Sequence, residues 1–538
     1  MRDTIPPVEG AARSEGENSP RTLVRHGSTL SLLTLVSRIL GLVREMTKAS
    51  LLGTSALSDA FSVAFMIPNL FRRLFAEGSI AVAFIPTFKE YLLKDDRAAI
   101  REFLACIFTF LSFFVSLAVA LGVLVTPLVV PFFGMEEFDE TVLLTRLMFP
   151  FLAFISLAAL LQGILNSVRV FAPSGLAPIV LNLTTILCAY GLSPFTQNPA
   201  RAMAWGILIG GFLEAAIQFP FVWKKGFRLF FTGLGQAIRN PGTRKVLRLI
   251  GPTIAGMAAY QLNDLVSTAL AGNAGEGVVS SLQYSLRLQE LSLGVFAVSI
   301  GTVLLPDLAE DAKTGKWDRY NERLLTAMDI IALITVPVTF FSLAQGEALI
   351  RLLFQSRSFD ETSVALTCSA FRCHMPGLLF IALNRILAPA FYAQSDSRSP
   401  ALAGIISFAV NMTLAVLLAG PFRGAGIALA LTVAGAVNTA LLLAFLGRNP
   451  RIAVGRALKS ALVYTLKLAL FSAIAAVPVV YLKSFLISRL AGRGRFVTYG
   501  IPFTVTALVF TAIGVLLLAL SRDKQFRALA GMLRGRRK

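Results

Sequence analysis

Histidine and cysteine are scarce in this chain, which has two histidines and four cysteines in 538 residues. His26 and His374 are far apart, and the cysteines lie in or beside apolar segments without the spacing of a zinc site. The sequence has no GxxxxGK[ST] phosphate loop and no GxSxG, HExxH or CxxC motif. These absences argue against a built-in ATPase, a histidine-based catalytic centre and a zinc centre.

Charge is also low, because only 15% of the residues are charged, whereas soluble domains have about 25%. Basic residues outnumber acidic ones by 50 to 30, which gives a net charge of +20. On a soluble protein this excess would favour nucleic-acid binding, but here it falls mostly in loops between apolar stretches. Cytoplasmic loops of membrane proteins carry the same excess, so the charge indicates membrane topology and no nucleic-acid partner.

Apolar runs of spanning length recur from about residue 29 to about residue 521. They predict an all-α polytopic membrane protein with about fourteen transmembrane helices. The predicted spans centre near residues 40, 65, 115, 153, 183, 210, 258, 293, 333, 378, 408, 435, 473 and 508. Basic loops after spans two, six and twelve and a basic C-terminal tail predict that both termini are cytoplasmic. One basic loop fits badly because it would face outward; it contains Lys483, Arg489, Arg493 and Arg495.

A faint internal repeat divides the spans into two six-helix lobes. FIPTFKEY (84–91) and LLPDLAED (304–311) each combine an apolar pair, a proline and an acid four residues later. Segments 167–178 and 395–404 each join later spans through an Arg and a Pro. Two related lobes around a central cavity are a common transporter plan, and the last two spans are an addition to it. The predicted divisions are a disordered cytoplasmic tail (1–27), an N-lobe of spans one to six (28–226), a cytoplasmic amphipathic linker (227–241), a C-lobe of spans seven to twelve (242–447), spans thirteen and fourteen (448–521) and a basic cytoplasmic tail (522–538).

Charged residues inside the predicted spans mark a candidate binding site, because such residues usually face a protein interior or a wet cavity. They are Arg38 and Arg44 in span one, Asp59 and Arg72 in span two, and Arg287 with Glu290 in span eight. Several arginines around a cavity suit a polyanion such as a pyrophosphate, since guanidinium groups bind phosphate oxygens bidentately. Two other interpretations stay open: a first-span arginine reaches the cytoplasmic surface, or the Arg–Glu pair is purely structural.

Two lone acids in the spans, Asp59 and Asp264, either pair with these arginines or bind a coupling cation. Oxygens from Asn411 and Thr432 complete the candidate cation site at Asp264.

The segments 37–45 (SRILGLVRE), 58–91 (SDAFSVAFMIPNLFRRLFAEGSIAVAFIPTFKEY) and 287–306 (RLQELSLGVFAVSIGTVLLP) closely resemble the MurJ (MviN) family of lipid II flippases. This family belongs to the multidrug/oligosaccharidyl-lipid/polysaccharide exporter superfamily. Weaker matches in FAPSGLAPIVLN, RILAPAFYA and GPFRGAGIALAL extend the resemblance over nearly the whole chain after the N-terminal tail.

The resemblance implies a transporter rather than an enzyme. It implies that lipid II, undecaprenyl-pyrophosphoryl-MurNAc-pentapeptide-GlcNAc, moves by alternating access from the inner to the outer leaflet of the bacterial cytoplasmic membrane. It also implies a lipid-tail groove formed by the last two spans, and no cofactor beyond a coupling ion (sodium or proton) or the membrane potential. We further expect a monomer that associates with cell-wall synthesis proteins. The family's site residues fall on Arg38, Arg44, Arg72, Arg287, Asp59 and Glu290.

This chain departs from some relatives at two positions. Met66 stands where some have a lysine, and Ala415 stands where some have an acid one turn after the asparagine that corresponds to Asn411.

Three other functions compete with the one that this resemblance implies. A drug/cation antiporter of the superfamily should have an acidic cavity and twelve spans, and a membrane glycosyl- or phosphotransferase should have acidic metal-binding motifs. A flippase for another polyprenyl-pyrophosphate-linked oligosaccharide would use the same arginine chemistry, so charge alone leaves it open.

Overall fold

Helices form both halves of the chain in the computed structural model, which describes residues 20–74, 83–294, 297–527 and 531. The chain divides into two compact units, Met1–Glu276 and Gly277–Lys538. The first helix begins at Pro20, within the stretch predicted to be a polar tail, and residues 1–19 of that tail lie outside the described residues.

The helices of the first unit are α1 (Pro20–Leu52), α2 (Ala56–Arg72), α3 (Ile85–Leu93), α4 (Arg97–Val129), α5 (Phe138–Met148), α6 (Phe151–Ser167), α7 (Ala172–Gly191), α8 (Pro199–Ala216), α9 (Phe219–Lys224), α10 (Leu234–Arg239) and α11 (Pro241–Asn273). Those of the second unit are α12 (Val278–Gly294), α13 (Ala297–Lys313), α14 (Trp317–Phe354), α15 (Glu361–His374), α16 (Gly377–Ala393), α17 (Arg398–Leu446), α18 (Val454–Leu490) and α19 (Ile501–Leu520).

Every predicted span centre lies in one of these helices. By length and apolar composition alone, eight described helices could cross a membrane, or nine when the bent pair α15 and α16 is one span. The count is lower than fourteen for physical reasons: α2 and α12 have 17 residues each, and α1 contains several charges. In addition, α17 combines two predicted spans.

The 49 residues of α17 would extend about 74 Å as one straight helix, more than twice the roughly 30 Å of a bilayer core. The backbone is non-helical at Arg423, where φ is 46° and ψ is −129°, and Pro421 precedes this turn. Gly426 then allows the second half to return closely, because a Cβ there would lie 2.2 Å from the Leu418 carbonyl oxygen. The helix is therefore two spans joined by a sharp turn.

The boundary between the units differs from the predicted lobe boundary at 227–241, since α11, the predicted seventh span, belongs to the first unit. Its end packs on that unit through Gly272, where a Cβ would lie 1.9 Å from the Phe133 carbonyl oxygen. Its start is joined to α3 by a 2.6 Å ion pair between Lys245 and Glu90. α11 follows the predicted linker in the chain, yet through these contacts it packs with the helices before the linker.

The internal repeat is visible in the backbone. Pro150 interrupts the fourth predicted span between α5 and α6, and Pro376 interrupts the tenth between α15 and α16. Nineteen residues after each proline stands a non-glycine residue with a left-handed backbone, Arg169 (φ 60°) and Ser395 (φ 61°). Both turns close with the same pair of hydrogen bonds to the preceding helix. The two halves thus share a bend and a turn at matching positions.

Small residues bring two first-unit helices together. A Cβ on Gly206 or Gly210 of α8 would lie 2.9 Å from the nearest atoms of α7. This GxxxG spacing allows close backbone approach, which is a common device of helix packing in membranes. In the second unit, α14 packs against α18 through Ala332, Val336 and Leu468.

Candidate functional site

Polar side chains lie between α1 and α2 in the first unit. An Arg44 guanidinium nitrogen lies 3.0 Å from a carboxylate oxygen of Glu45, and its guanidinium carbon lies 5.6 Å from the centre of the Phe65 ring. Arg44 is partly buried, so its charge is held by one carboxylate and one aromatic face.

Lys48 is a buried cation that the sequence reasoning missed. Its side chain is 3% exposed, and its ammonium donates to the Ser62 hydroxyl on α2. Asp59, one turn before Ser62, is 4% exposed. Glu45, Asp59 and Arg44 are all close enough to Lys48 to interact with it electrostatically. The predicted site residues Arg44 and Asp59 therefore belong to a charged cluster that also includes Lys48.

The remaining first-unit arginines have different surroundings. Arg38 is half-buried and makes no hydrogen bond or ion pair with the residues that the structure describes. Arg72 donates from Nε to the Asn69 side chain over 2.7 Å. Its neighbour Arg73 lies 3.2 Å from the Asp264 carboxylate.

In the second unit, Arg287 and Glu290 lie on one face of α12, as their spacing predicts. The separation between their charged atoms is 3.5 Å, and Glu290 is exposed. The Arg287 Nε is buried without a hydrogen-bond partner among the described residues. A buried, unpaired guanidinium nitrogen is costly, and it is the kind of donor that an anionic ligand satisfies.

The break between α15 and α16 is held by side chains from three helices. Because the Leu378 N–H bonds the Met375 carbonyl instead of the carbonyl four residues back, carbonyls before the break are released from the helix. Neighbouring side chains donate to three successive carbonyls, in the pairs Thr432–Cys373, Gln289–His374 and Thr339–Met375. The His374 ring is buried with Nδ1 2.7 Å from the Ser285 hydroxyl, which further ties the break to α12.

The three predicted cation ligands, Asp264, Asn411 and Thr432, already have other surroundings in the structure. Asp264 lies in the first unit and is paired with Arg73, whereas Asn411 and Thr432 lie in the second unit. The Thr432 hydroxyl donates its proton to the Cys373 carbonyl over 2.7 Å, and Asn411 is buried. Within the part of the chain that the structure describes, no group of three or more His, Cys, Asp or Glu side chains could hold a metal ion.

The basic segment 483–495, which fitted the predicted topology badly, makes hydrogen bonds to α14. Lys483 donates to the Ala344 carbonyl over 3.0 Å, and Arg495 donates to the Gln355 carbonyl at the end of α14. Cations are favoured at helix C-termini, where carbonyls lack helical partners. Arg495 is therefore hydrogen-bonded at the C-terminus of α14, whereas Lys483, on α18, bonds a carbonyl well before that end.

Comparisons with known proteins agree on one family. A family model described as lipid II flippase MurJ matches residues 48–501. The chain belongs to the MurJ family. It is 46% identical over 512 residues to a probable lipid II flippase MurJ of Treponema pallidum (strain Nichols), covering 94% of this chain and 97% of that protein. It is 32% identical over 438 residues to the lipid II flippase MurJ of Burkholderia cenocepacia, covering 79% and 83% of the two chains.

Solved structures show the same fold. A lipid II flippase MurJ in an inward closed conformation aligns with a TM-score of 0.74 at 24% identity, over 92% of this chain and 99% of that one. An inward-facing multidrug resistance MATE family transporter of the MOP superfamily aligns with a TM-score of 0.65 at 14% identity, over 80% and 99%. The predicted family, the all-α polytopic membrane fold and the transporter class are confirmed: this MurJ family member is a multi-pass bacterial membrane protein and not an enzyme.

Proposed function

We propose that this chain is a lipid II flippase, which moves the undecaprenyl-pyrophosphate-linked peptidoglycan precursor from the inner to the outer leaflet of the cytoplasmic membrane. Membership of the MurJ family is the observation that carries this proposal. The charges support it further, because Arg38 makes no hydrogen bond or ion pair with the described residues and the Arg287 Nε is buried without a hydrogen-bond partner among them. Guanidinium donors of this kind suit pyrophosphate oxygens.

Transport proceeds by alternating access, in which cationic side chains replace the hydration of the headgroup while the lipid tail remains in the bilayer. No covalent bond is made or broken. Because a ligand shifts a conformational equilibrium only through differential affinity, release requires fewer arginines around the pyrophosphate in the outward-open state. Equal cargo affinity in proteins locked inward and outward would contradict this mechanism.

The test is transport by the purified full chain in liposomes, with lipid II in the outer leaflet measured by a headgroup-modifying probe that cannot cross the bilayer. Arg38→Gln and Arg287→Gln should each reduce the initial rate about tenfold or more, since a hydrogen bond to a charged group contributes about 1.5–3 kcal/mol. Arg287→Lys should retain part of the rate, because it keeps the charge and loses the bidentate geometry. Exposed Arg319 in the first turn of α14 provides the control Arg319→Gln, which should transport normally.

Three results would contradict the proposal in different ways. Full transport by both glutamine variants would show that the two arginines do not bind the cargo. An equal loss of transport in Arg319→Gln would show that the effect is not specific to these two positions. If the wild type moves no lipid II under an imposed potential, a sodium gradient or a proton gradient, the cargo assignment is wrong. Another polyprenyl-pyrophosphate-linked oligosaccharide is then the substrate to test in the same liposome assay.

A further inference from the structure

A basic cavity lies in the first unit where α10 ends and α11 begins. Its volume is about 520 Å³, and it is lined by Arg239, Pro241, Arg244, Lys245, Arg248 and Leu249. Four of these six side chains are cationic and none is acidic. The cavity therefore has the charge and size to hold an anionic group.

Part of this positive charge is available to a ligand. Lys245 is neutralised by Glu90, whose two carboxylate oxygens each lie 2.6 Å from its ammonium. Arg244 donates from Nε to the Ile238 carbonyl over 3.2 Å. This bond orients the Arg244 side chain, but a neutral carbonyl does not neutralise the guanidinium charge. Arg239 and Arg248 are exposed and make no hydrogen bond or ion pair with the residues that the structure describes. Three guanidinium charges thus line the cavity without a carboxylate.

The backbone that carries these cations is firmly held. The Asn240 side chain caps α11 by accepting from the N–H groups of Gly242 and Thr243, over 2.9 and 3.2 Å. Gly242 packs so closely that a Cβ would lie 2.5 Å from the Phe103 ring and 2.6 Å from the Tyr91 hydroxyl. Because the frame is fixed before a ligand arrives, binding requires little ordering of the backbone.

Apolar side chains are exposed in the segment that leads into α10, the helix that contributes Arg239 to the cavity, and they suit contact with lipid. Phe230 and Phe231 in the segment before α10 are exposed, Phe231 by 71%. The Phe231 ring centre lies 4.7 Å from that of Phe108 on α4, and the Thr232 N–H donates to the Thr109 hydroxyl over 2.9 Å. This segment therefore lies along α4 and leaves apolar aromatic rings exposed.

We propose that the cavity binds the phosphate headgroup of an anionic phospholipid from the adjacent leaflet, which is the cytoplasmic leaflet in the predicted topology. The arginines bind the phosphate oxygens, while Leu249 and the exposed phenylalanines contact the acyl chains. Such a lipid anchors the start of α11 to the leaflet. This site concerns a resident lipid rather than the transported one, so it does not depend on the proposed transport function.

The test measures lipid binding to the intact chain in detergent by native mass spectrometry. Phosphatidylglycerol, phosphatidylcholine and inorganic phosphate are titrated separately, and phosphate is then tested as a competitor of phosphatidylglycerol. The wild type should bind phosphatidylglycerol more tightly than phosphatidylcholine. The double variant Arg239→Gln/Arg248→Gln should lower the phosphatidylglycerol affinity about thirtyfold, since each of the two cations near a lipid surface adds about 1 kcal/mol.

The matched control is Lys316→Gln/Arg319→Gln, which removes the same charge from exposed residues at the start of α14. Retention of phosphatidylglycerol binding by this control supports the site. Equal losses in both double variants would show general electrostatic attraction, and no loss in either would show that lipid binds elsewhere; both results overturn the proposal. If inorganic phosphate binds as tightly as the lipid and displaces it, the cavity is a site for soluble anions and the lipid assignment is wrong.

Discussion

Replacing Gln289 with leucine removes the side chain that caps the His374 carbonyl at the α15–α16 break. Gln289 is 2% exposed and His374 is equally buried, so water cannot replace the lost donor. A buried polar group left without its partner costs about 1–3 kcal/mol. Gln289→Leu should therefore lower the free energy of unfolding by about that amount.

The chain offers a matched control in Gln345, which is fully buried on α14 and donates to the Thr506 hydroxyl over 2.9 Å. Thr506 also donates to the Pro502 carbonyl, so it keeps a partner when the glutamine is removed. The Gln345 side-chain oxygen is itself buried without a hydrogen-bond partner among the described residues. Gln345→Leu leaves no new orphaned group and should cost less than about 1 kcal/mol.

The measurement is reversible unfolding of both variants in mixed detergent micelles, followed by helix content. A Thr432→Val variant extends it, because Thr432 caps the neighbouring Cys373 carbonyl. Independent caps would give additive losses in the double variant, whereas a break that rearranges as one unit would give a coupling energy above about 0.5 kcal/mol. If Gln289→Leu costs no more than Gln345→Leu, the reasoning from orphaned carbonyls is refuted.

Three further expectations concern stability. Gly426→Ala should destabilise the fold by about 1–3 kcal/mol, because its Cβ would meet a backbone carbonyl, while Gly420→Ala, with open space around it, is the neutral control in the same assay. Arg423→Gly should raise the unfolding free energy by about 1 kcal/mol by relieving the left-handed backbone, and a loss of stability would contradict the strain. Burial raises the pKa of Asp523, but hydrogen bonds to its carboxylate, of which the one from Lys467 has the largest effect, outweigh burial. The pKa of Asp523 therefore lies below the ordinary value. The carboxylate therefore stabilises the fold above about pH 4 and loses this effect as pH falls through the folded pKa. Asp523→Asn should make the free energy of unfolding depend less on pH in that acid range.

The helices were accessible from sequence because their signals are local. Apolar length locates the span centres, and the prolines at 150 and 376 indicate where the fourth and tenth spans break. Lys48 was missed because its burial depends on Ser62, a residue of another helix. Its only sequence signal was a cation near the end of an apolar stretch. The grouping of α11 with the first compact unit likewise depends on contacts between elements, such as Gly272 with Phe133.

The caps at the α15–α16 break show the same limit. Gln289, Thr339 and Thr432 are ordinary polar residues of three separate helices, and nothing in their local sequence indicates a shared task. The candidate arginines were found because a charge in an apolar helix is conspicuous wherever it points. Hydrogen-bonding amides and hydroxyls in a span are not conspicuous in this way.

The left-handed turns at Arg169 and Ser395 give a geometric register for comparing the two halves of such proteins. The residues there are an arginine and a serine, yet their φ angles (60° and 61°) nearly agree and the distance from the preceding proline is the same. Backbone geometry thus matches at two positions where the residues differ. When two halves no longer align by sequence, a span broken at proline and a left-handed residue nineteen positions later can set the correspondence between them, residue by residue.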